Sequence, residues 1–279
     1  MKIFNGIINI LFAFLLIFAI IGTIIFNIVF ETILNKQYTL DKLEETEFYI
    51  QLEREVKSGF EDYIYQSGLP VEIFDEIYNG DMIKDDVNSI ADYIYEGTDI
   101  RTSEDIIRDN LDNKINNYVK ENKIPMVGEN KDNIEKFKNL ITDTYKANVN
   151  VSGSGIVAVK DTIDFTQKTY ERFKYMPIVS LIVIIVLIIL INIKNISSII
   201  NTIAISLLST GILIKLFEWI ILKNVDIDNL VILSQSLSNL IINTMKDILY
   251  KISNYGMIFI IIGVTGVIIG SMIKVSKKD

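Results

Sequence analysis

Hydrophobic residues are gathered into four long runs, separated by polar stretches of very different length. The first run covers residues 3–30 without a charge, and the others cover residues 177–193, 198–222 and 256–275. A helix that crosses a bilayer needs about 20 predominantly apolar residues. In lipid, such a segment satisfies its own backbone hydrogen bonds only as a helix. The pattern therefore predicts an all-α integral membrane protein with four transmembrane helices. The first is longer than the apolar core of a signal peptide, about 7–15 residues, and is expected to be a retained anchor.

The polar stretch at residues 31–174 predicts a helical domain between the first and second transmembrane helices. Helix start and stop signals predict helices from Thr39 or Asp41 to Gln66, Pro70 to Gly80, Asp81 to Glu96, Thr102 to Asn122 and Asn130 to Ala147. In the fourth, Thr102 and Asp105 resemble a capping box. Its apolar residues recur every three or four positions, at Ile107, Leu111, Ile115 and Tyr118. Residues 148–159 alternate Val with polar or small residues and favour either a hairpin or a flexible hinge.

Residues 175–279 predict a three-helix membrane region that includes an amphipathic outer helix at about residues 229–253. One face of this helix is apolar and most of the remainder is Ser and Asn. A helix that lies flat on lipid usually has a strongly basic polar face. Packing against the outer domain or the top of the bundle is favoured over contact with lipid or a fifth span.

Basic residues near the ends of the runs predict the orientation. Five lysines lie in very short segments on one side: Lys2, Lys194, Lys274, Lys277 and Lys278. Short basic segments tend to stay in the cytoplasm, and long loops contribute little to this rule. We therefore expect a multi-pass protein of the cell membrane with both termini cytoplasmic and residues 31–174 extracytoplasmic.

Composition removes several kinds of chemistry. The chain has no Cys and no His, 27 basic and 35 acidic residues, and a formal net charge of −8. Disulfides, catalytic thiols, Cys/His zinc sites and Ser-His-Asp triads are excluded. The acidic balance argues against a nucleic-acid partner. Residues 31–174 contain 30 of the acids. Acidic pairs such as Asp85 and Asp86 lack EF-hand spacing and are interpreted as solvated. We expect no enzyme activity, cofactor or metal.

Polar and small residues in the runs form faces when they are mapped at 100° per residue. The first helix has a polar stripe of Asn5, Asn9, Thr23 and Asn27, and the fourth has a small-residue face of Gly256, Gly263, Gly266 and Gly270. The third has small or polar residues on two opposite faces, which predicts a position between two neighbours. Such residues favour close packing between helices. The alternative is that the stripe lines a conduction or substrate path.

Lys215 and Glu218 are the charges of the third run, and Lys274 lies at the very end of the fourth. Their spacing of three places them side by side on one helix face, next to Trp219, a residue typical of the membrane interface. An interfacial ion pair is favoured over a role in coupling ions or substrate.

A four-residue sequence that occurs twice suggests a candidate binding surface. Asp-Tyr-Ile-Tyr occurs at residues 62–65 and again at residues 92–95, each time shortly before a glycine. The structural interpretation, which is favoured, is that two helices have similar C-terminal ends. The functional alternative is a duplicated binding surface lined by Tyr63, Tyr65, Tyr93 and Tyr95.

The layout, with a long outer domain after the first helix and a shorter outer loop before the last, resembles that of FtsX-type permeases. Those proteins couple to an ATPase through a sizeable cytoplasmic segment between the second and third helices; here that segment is about residues 194–197. The amino-acid composition, which is rich in Ile, Asn, Lys, Asp and Tyr, also resembles that of uncharacterised four-helix membrane proteins of low-GC Gram-positive bacteria. This resemblance implies no activity.

Two functions remain. The favoured one is a non-enzymatic envelope protein, anchored in the lipid bilayer, whose extracytoplasmic helical domain binds a partner protein or ligand. The alternative is a small transporter or channel subunit that uses the Asn stripe and the pair of Lys215 and Glu218.

Overall fold

The computed structural model describes residues 2–67, 69–125, 127–149, 154–230 and 234–276; the side chains of residues 2–5, 62, 65, 66 and 154 are outside that description. Within it, every regular element is a helix. Four helical segments are long and apolar enough to cross a membrane: Gly6–Glu31, Gly155–Ile191, Ile196–Asn224 and Gln235–Ser276. The prediction of an all-helical protein with four candidate spans is confirmed.

The helices of the described residues are numbered in chain order. They are α1 (Lys2–Glu31), α2 (Lys36–Glu45), α3 (Phe48–Ser67), α4 (Gly80–Glu96), α5 (Glu104–Glu121), α6 (Glu129–Val149), α7 (Ser154–Phe173), α8 (Met176–Ile191), α9 (Ile196–Asn224) and α10 (Gln235–Ser276). Single 3-10 turns lie at Val71–Ile73 and Ile227–Asn229.

The chain divides into two compact units. The membrane unit comprises Met1–Asn35, Gln167–Leu230 and Ile242–Asp279, and the polar unit comprises Lys36–Thr166 with Val231–Ile241. The boundaries fall inside α7 and α10, so each of these helices contributes residues to both units. The second part of the polar unit comes from a region that the sequence assigned to the membrane half of the chain.

The polar unit is organised around a single hydrophobic core. The paired helices α3 and α6 contact each other, and α4 and α5 pack on the same cluster. On α5, Ile107, Leu111 and Ile115 are fully buried, in agreement with the predicted spacing. Burial of one such side chain stabilises a fold by roughly 1.5–3 kcal/mol, so this core accounts for the cohesion of the unit.

The ends of α4 follow from local chemistry. Asn79 Oδ1 accepts the backbone N–H of Met82 at 2.9 Å, which caps the first turn. Gly97 follows the last turn in the left-handed conformation, with φ of 73°, and its N–H donates to the Tyr93 carbonyl. This helix lies within one residue of its predicted bounds.

Two predicted helices of the polar unit are wrong. The long helix ending at Gln66 is broken between α2 and α3, where Glu47 has φ of 52°. Leu43 and Phe48 both enter the core, yet on one straight helix they would point about 140° apart, and the break removes that conflict. The helix expected from Pro70 to Gly80 is only the turn Val71–Ile73, and Glu76, with φ of 61°, has a backbone conformation that a right-handed helix does not allow.

The predicted capping box at the start of α5 is also wrong. Ser103, rather than Thr102, precedes the helix, and its side chain makes no cap hydrogen bond. The hairpin alternative for residues 148–159 is wrong where it can be compared. Val149 ends α6, while Val157 and Val159 lie inside α7; residues 150–153 lie outside the described residues.

The outer helix expected at residues 229–253 and the fourth span form one helix. This helix, α10, begins at Gln235 and continues for 42 residues. Near its start, Leu237 and Leu240 pack on the core of the polar unit.

In the membrane unit, α1 lies along α8 and α9. Its buried face carries Leu16, Ile20, Ile24 and Ile28 at intervals of four, and it contacts Ile188 and Ile214. The second span is the least buried of the four. This agrees with its lack of small and polar residues, which predicts that it faces lipid most.

Candidate functional sites

Glycines bring α9 and α10 into backbone contact in the membrane unit. A methyl group added at Gly263 would lie 2.6 Å from the backbone N of Leu208, and one added at Gly211 would lie 2.6 Å from the carbonyl O of Gly256. At Gly266 it would lie 2.7 Å from Ala204 Cβ, and at Gly270 it would collide with Asn201. The small-residue face of the fourth run therefore lies against α9.

The polar stripe of α1 is used for contacts within the membrane unit. Asn9 and Asn192 exchange hydrogen bonds, with Asn192 donating at 2.7 Å and Asn9 donating at 3.1 Å. Asn9 also donates to Ser198 Oγ at 3.1 Å. These bonds join the first part of α1 to the end of α8 and the start of α9. Thr23 donates to the Ala19 carbonyl of its own helix, and the Asn5 side chain lies outside the described residues.

The third run lies between two neighbours. Ser206 Oγ donates to the Ala13 carbonyl of α1 at 3.3 Å, while the other side of α9 carries the glycine contacts with α10. The two polar faces therefore serve two different helices.

Lys215 and Glu218 form an ion pair on α9, with Nζ and Oε2 3.0 Å apart. The sequence did not identify their third partner. Ser253 Oγ of α10 donates to Glu218 Oε2 at 2.9 Å and also contacts Lys215 Nζ. A serine in an amphipathic segment carries no local signal for this role. Nearby, Lys223 Nζ lies 4.9 Å from the ring centre of Trp219. Lys215 and Glu218 each have a partner within the chain. The main reason to expect an ion or substrate at this pair, an uncompensated charge in the membrane, is therefore absent.

A cavity of about 320 Å³ lies among α1, α8, α9 and α10. Its lining is mostly aliphatic, and its polar members include Thr23, Asn27 and Tyr255. Neither Asn9 nor Lys215 is part of it. Two residues of the stripe thus reach the cavity, and one is bound elsewhere.

The four tyrosines of the candidate binding surface have different surroundings. Tyr63 packs against the core of the polar unit. Tyr93 lies under Lys160 Nζ, which is 5.7 Å from its ring centre. Tyr95 shares a 2.7 Å hydrogen bond with Thr39 of α2, and burial raises the pKa of its hydroxyl. The Tyr65 side chain lies outside the described residues. These contacts explain the three described tyrosines as parts of the fold.

A buried carboxylate ties three helices of the polar unit together. Asp86 of α4 is 4% exposed and accepts hydrogen bonds from the Ser103 N–H at 2.9 Å, the Ser103 hydroxyl at 2.8 Å and the Tyr145 hydroxyl at 2.8 Å. Burial, together with this carboxylate, raises the pKa of Tyr145. The interpretation of Asp86 as solvated is wrong, because the side chain is buried. Its three hydrogen-bond donors compensate for the loss of water. Asp86 thereby fixes Ser103, the residue that precedes the first turn of α5.

A buried cation is satisfied in the same way. Lys138 of α6 is 4% exposed and lies against Asp112 and Glu135, the latter at 2.8 Å. Burial alone would lower the pKa of Lys138, but the two carboxylates outweigh it and raise that pKa. No cluster of acidic residues that would hold a metal ion occurs in the part of the chain that the structure describes.

The first turn of α10 is held by α3 within the polar unit. Glu55 accepts the backbone N–H and the hydroxyl of Ser236 at 2.8 and 2.7 Å. Asn239 donates to Gln51 at 2.6 Å. A carboxylate at a helix N-terminus satisfies free N–H groups and complements the helix dipole. The start of the longest helix is therefore specified by residues about 180 positions away in sequence.

Comparison with protein-family models, with curated proteins and with solved structures finds no match for this chain.

Proposed function

We propose that the protein is a non-enzymatic, multi-pass protein of the cell membrane whose polar unit lies outside the cytoplasm and binds a partner protein. One contrast carries the proposal. Many polar groups of the membrane unit are bound to one another, as in the pairs of Asn9 with Asn192 and Lys215 with Glu218. The polar unit instead presents unburied charge over a core of its own.

The exposed charge suggests the chemistry of the partner. Between residues 41 and 112 there are 21 acids and 6 bases, and many of these carboxylates are exposed: Glu61, Glu72, Asp75, Asp81, Asp85, Asp99, Asp105 and Asp109. Complementary charge steers association and fixes register. The proposed partner therefore has a basic surface.

Contacts within the membrane unit support the proposed orientation. Asn9 of α1 bonds to Asn192 at the end of α8, and Ser197 at the start of α9 donates to the Gly270 carbonyl near the end of α10. One end of this unit thus gathers the beginning of α1, the turn that carries Lys194 and the segment that carries Lys274. These are the short basic segments that the positive-inside rule assigns to the cytoplasm.

Helix α10 supports a further element of the proposal, a conformational signal. Its first turn is fixed by Glu55 in the polar unit, and the same helix supplies the glycines that contact α9 in the membrane unit. Because one helix carries both contacts, the proposal includes a change in the glycine contacts with α9 when partner binding disturbs the first turn of α10.

The orientation is tested with single cysteines, since the natural chain has none. In intact cells, a membrane-impermeant maleimide is expected to label Asp99→Cys, whose site is exposed. Lys194→Cys is expected to react only after permeabilisation. Labelling in the reverse order would refute the extracytoplasmic assignment.

Partner binding is tested by chemical crosslinking in native membranes, with quantification of the captured proteins. Asp81→Lys with Asp85→Lys reverses two exposed charges on α4, and Asp132→Lys with Asp143→Lys makes the same charge change on α6. Only the first pair lies in the acid-rich half of the unit. We expect it to abolish capture that the second pair retains. Equal capture by both variants would contradict the proposal.

A further inference from the structure

The lining of the membrane-unit cavity changes character from one end to the other. Along α1 it runs from Leu16 to Asn27, a distance of about 16 Å at 1.5 Å per residue. Asn27 lies one turn before the end of α1, and Tyr255 directly precedes the apolar run of α10. Leu16, Ile203 and Leu207 line the deeper part. The polar groups are thus gathered at one end of the cavity.

Water does not suit this space. A buried water needs two to four polar partners, and the deep part of the cavity offers aliphatic side chains. The Thr23 hydroxyl is already bonded to its own helix. An empty cavity would forfeit dispersion contacts on every lining atom. The fitting occupant is a slender apolar chain.

The polar end of the cavity offers hydrogen-bond donors that suit the polar end of an amphiphile. In the described residues, neither the Asn27 amide nor the Tyr255 hydroxyl has a hydrogen-bond partner within the chain. The amide offers two donors and the phenol one. These groups match the ester and headgroup oxygens of an amphiphile whose chain points into the cavity.

We infer that this cavity is a binding site for one hydrocarbon chain of a bilayer glycerolipid, with the polar end of the lipid at the level of Asn27 and Tyr255. The site is independent of the partner proposed for the polar unit. It provides a place where membrane composition acts on the packing of α1, α8, α9 and α10.

The test uses the full chain in phosphatidylcholine vesicles that contain a trace of phosphatidylcholine with a diazirine near the end of one chain. After irradiation, labelled positions are mapped by peptide mass spectrometry. Preferential labelling of the peptides with Leu16 and Leu207, relative to outward-facing positions of α8, is the expected result.

A matched pair of variants on α8 separates the cavity from the general lipid surface. Ile185→Phe places a ring in the cavity, whereas Ile182→Phe makes the same change at a side chain that is 54% exposed. We expect Ile185→Phe to lose the labelling at Leu16 and Leu207, and Ile182→Phe to retain it. Leu207→Phe serves as a second filling variant if Ile185→Phe does not fold.

The polar end is tested by Asn27→Leu combined with Tyr255→Phe, which should reduce cavity labelling while labelling of outward positions is unchanged. Uniform labelling of inward and outward residues would overturn the inference. So would cavity labelling that persists in a folded filling variant.

Discussion

The polar unit and the membrane unit are both helical, but different interactions hold their helices together. In the polar unit, helices meet through large apolar side chains such as Phe60, Ile107 and Tyr145, each almost fully buried. In the membrane unit, α9 and α10 meet where side chains are absent, at glycines whose backbone touches the neighbouring helix. Water drives the first kind of packing. Lipid chains are as apolar as leucine and provide no such drive, so close backbone approach and interhelical hydrogen bonds replace it.

The same contrast applies to buried charge. In the polar unit, Asp86 and Lys138 are removed from water and held by several partners each. In the membrane unit, Lys215 and Glu218 form one pair that Ser253 completes. Both solutions add a partner from another helix, such as Tyr145 for Asp86 and Ser253 for Glu218. The difference is that the polar unit buries single charges, whereas the membrane unit places two opposite charges side by side on one helix.

The largest effect is expected from a substitution in the core of the polar unit. Ile107→Ala, at a fully buried position, should lower the free energy of unfolding by roughly 2–5 kcal/mol through lost burial and a cavity. Hydrogen exchange in detergent should accelerate in peptides from α5 and α6 and remain unchanged in peptides from α9 and from the part of α10 after residue 241. The adjacent Ile106 is 54% exposed, so Ile106→Ala is the control and should have little effect. Similar losses in both variants would contradict this account of the core.

The second largest effect is expected from a substitution at the glycine contact between α9 and α10 in the membrane unit. In Gly263→Ala, the new methyl group would meet the backbone of Leu208, which is unable to rotate away, at a cost of roughly 3 kcal/mol. Thermal unfolding in detergent should show the loss.

Gly22→Ala provides the control, because a methyl group there meets nothing within 4 Å. Alanine also has the higher helix propensity, so this variant should be neutral or slightly more stable. Tolerance of Gly263→Ala at the level of Gly22→Ala would show that the two helices do not touch there.

The smallest expected effect distinguishes the units by pH. Burial, followed by nearby carboxylates, raises the pKa of Tyr78 and Tyr49 to about 12 from the ordinary 10.0. The folded state then retains these protons more tightly than the unfolded state. Their stabilisation is complete below pH 10 and is lost as pH rises toward 12. Two pKa units at about 1.36 kcal/mol each set an upper limit of about 2.7 kcal/mol for each tyrosine, which solvent screening of these half-buried groups lowers.

Protection factors, which correct hydrogen exchange for its base-catalysed intrinsic rate, measure this loss between pH 9 and pH 11, and it should appear in the polar unit. Tyr78→Phe should make the exchange of that unit less sensitive to pH. An unchanged pH response in this variant would remove Tyr78 from the explanation.

Much of the fold is predictable from local patterns, and particular residues show where prediction stops. The spacing of Ile107, Leu111 and Ile115 identified the buried face of α5, and Gly97 marked the end of α4. The break at Glu47 had no comparable local signal. It arises because Leu43 and Phe48 must both reach one core, and that requirement is set by helices far away in sequence.

The candidate sites divide in the same manner. The ion pair of Lys215 with Glu218 and the glycine face of α10 follow from spacing along one helix. Their partners on other helices, Ser253 and Leu208, do not. The sequence offered a path lined by the polar stripe of α1 only as an alternative, and it gave no signal for the aliphatic residues of four helices that form most of the cavity lining.

The sequence alone determined the four apolar helices, because hydrocarbon thickness and the need to satisfy backbone hydrogen bonds act on each segment separately. It also determined the concentration of acidic charge in residues 31–174. Tertiary structure decided that α10 is one helix whose start packs on the polar unit, which carboxylates are buried, and where four apolar helices leave a space. These features depend on contacts between residues separated by tens to hundreds of positions, and no pattern within a single segment encodes which distant side chain will be its neighbour.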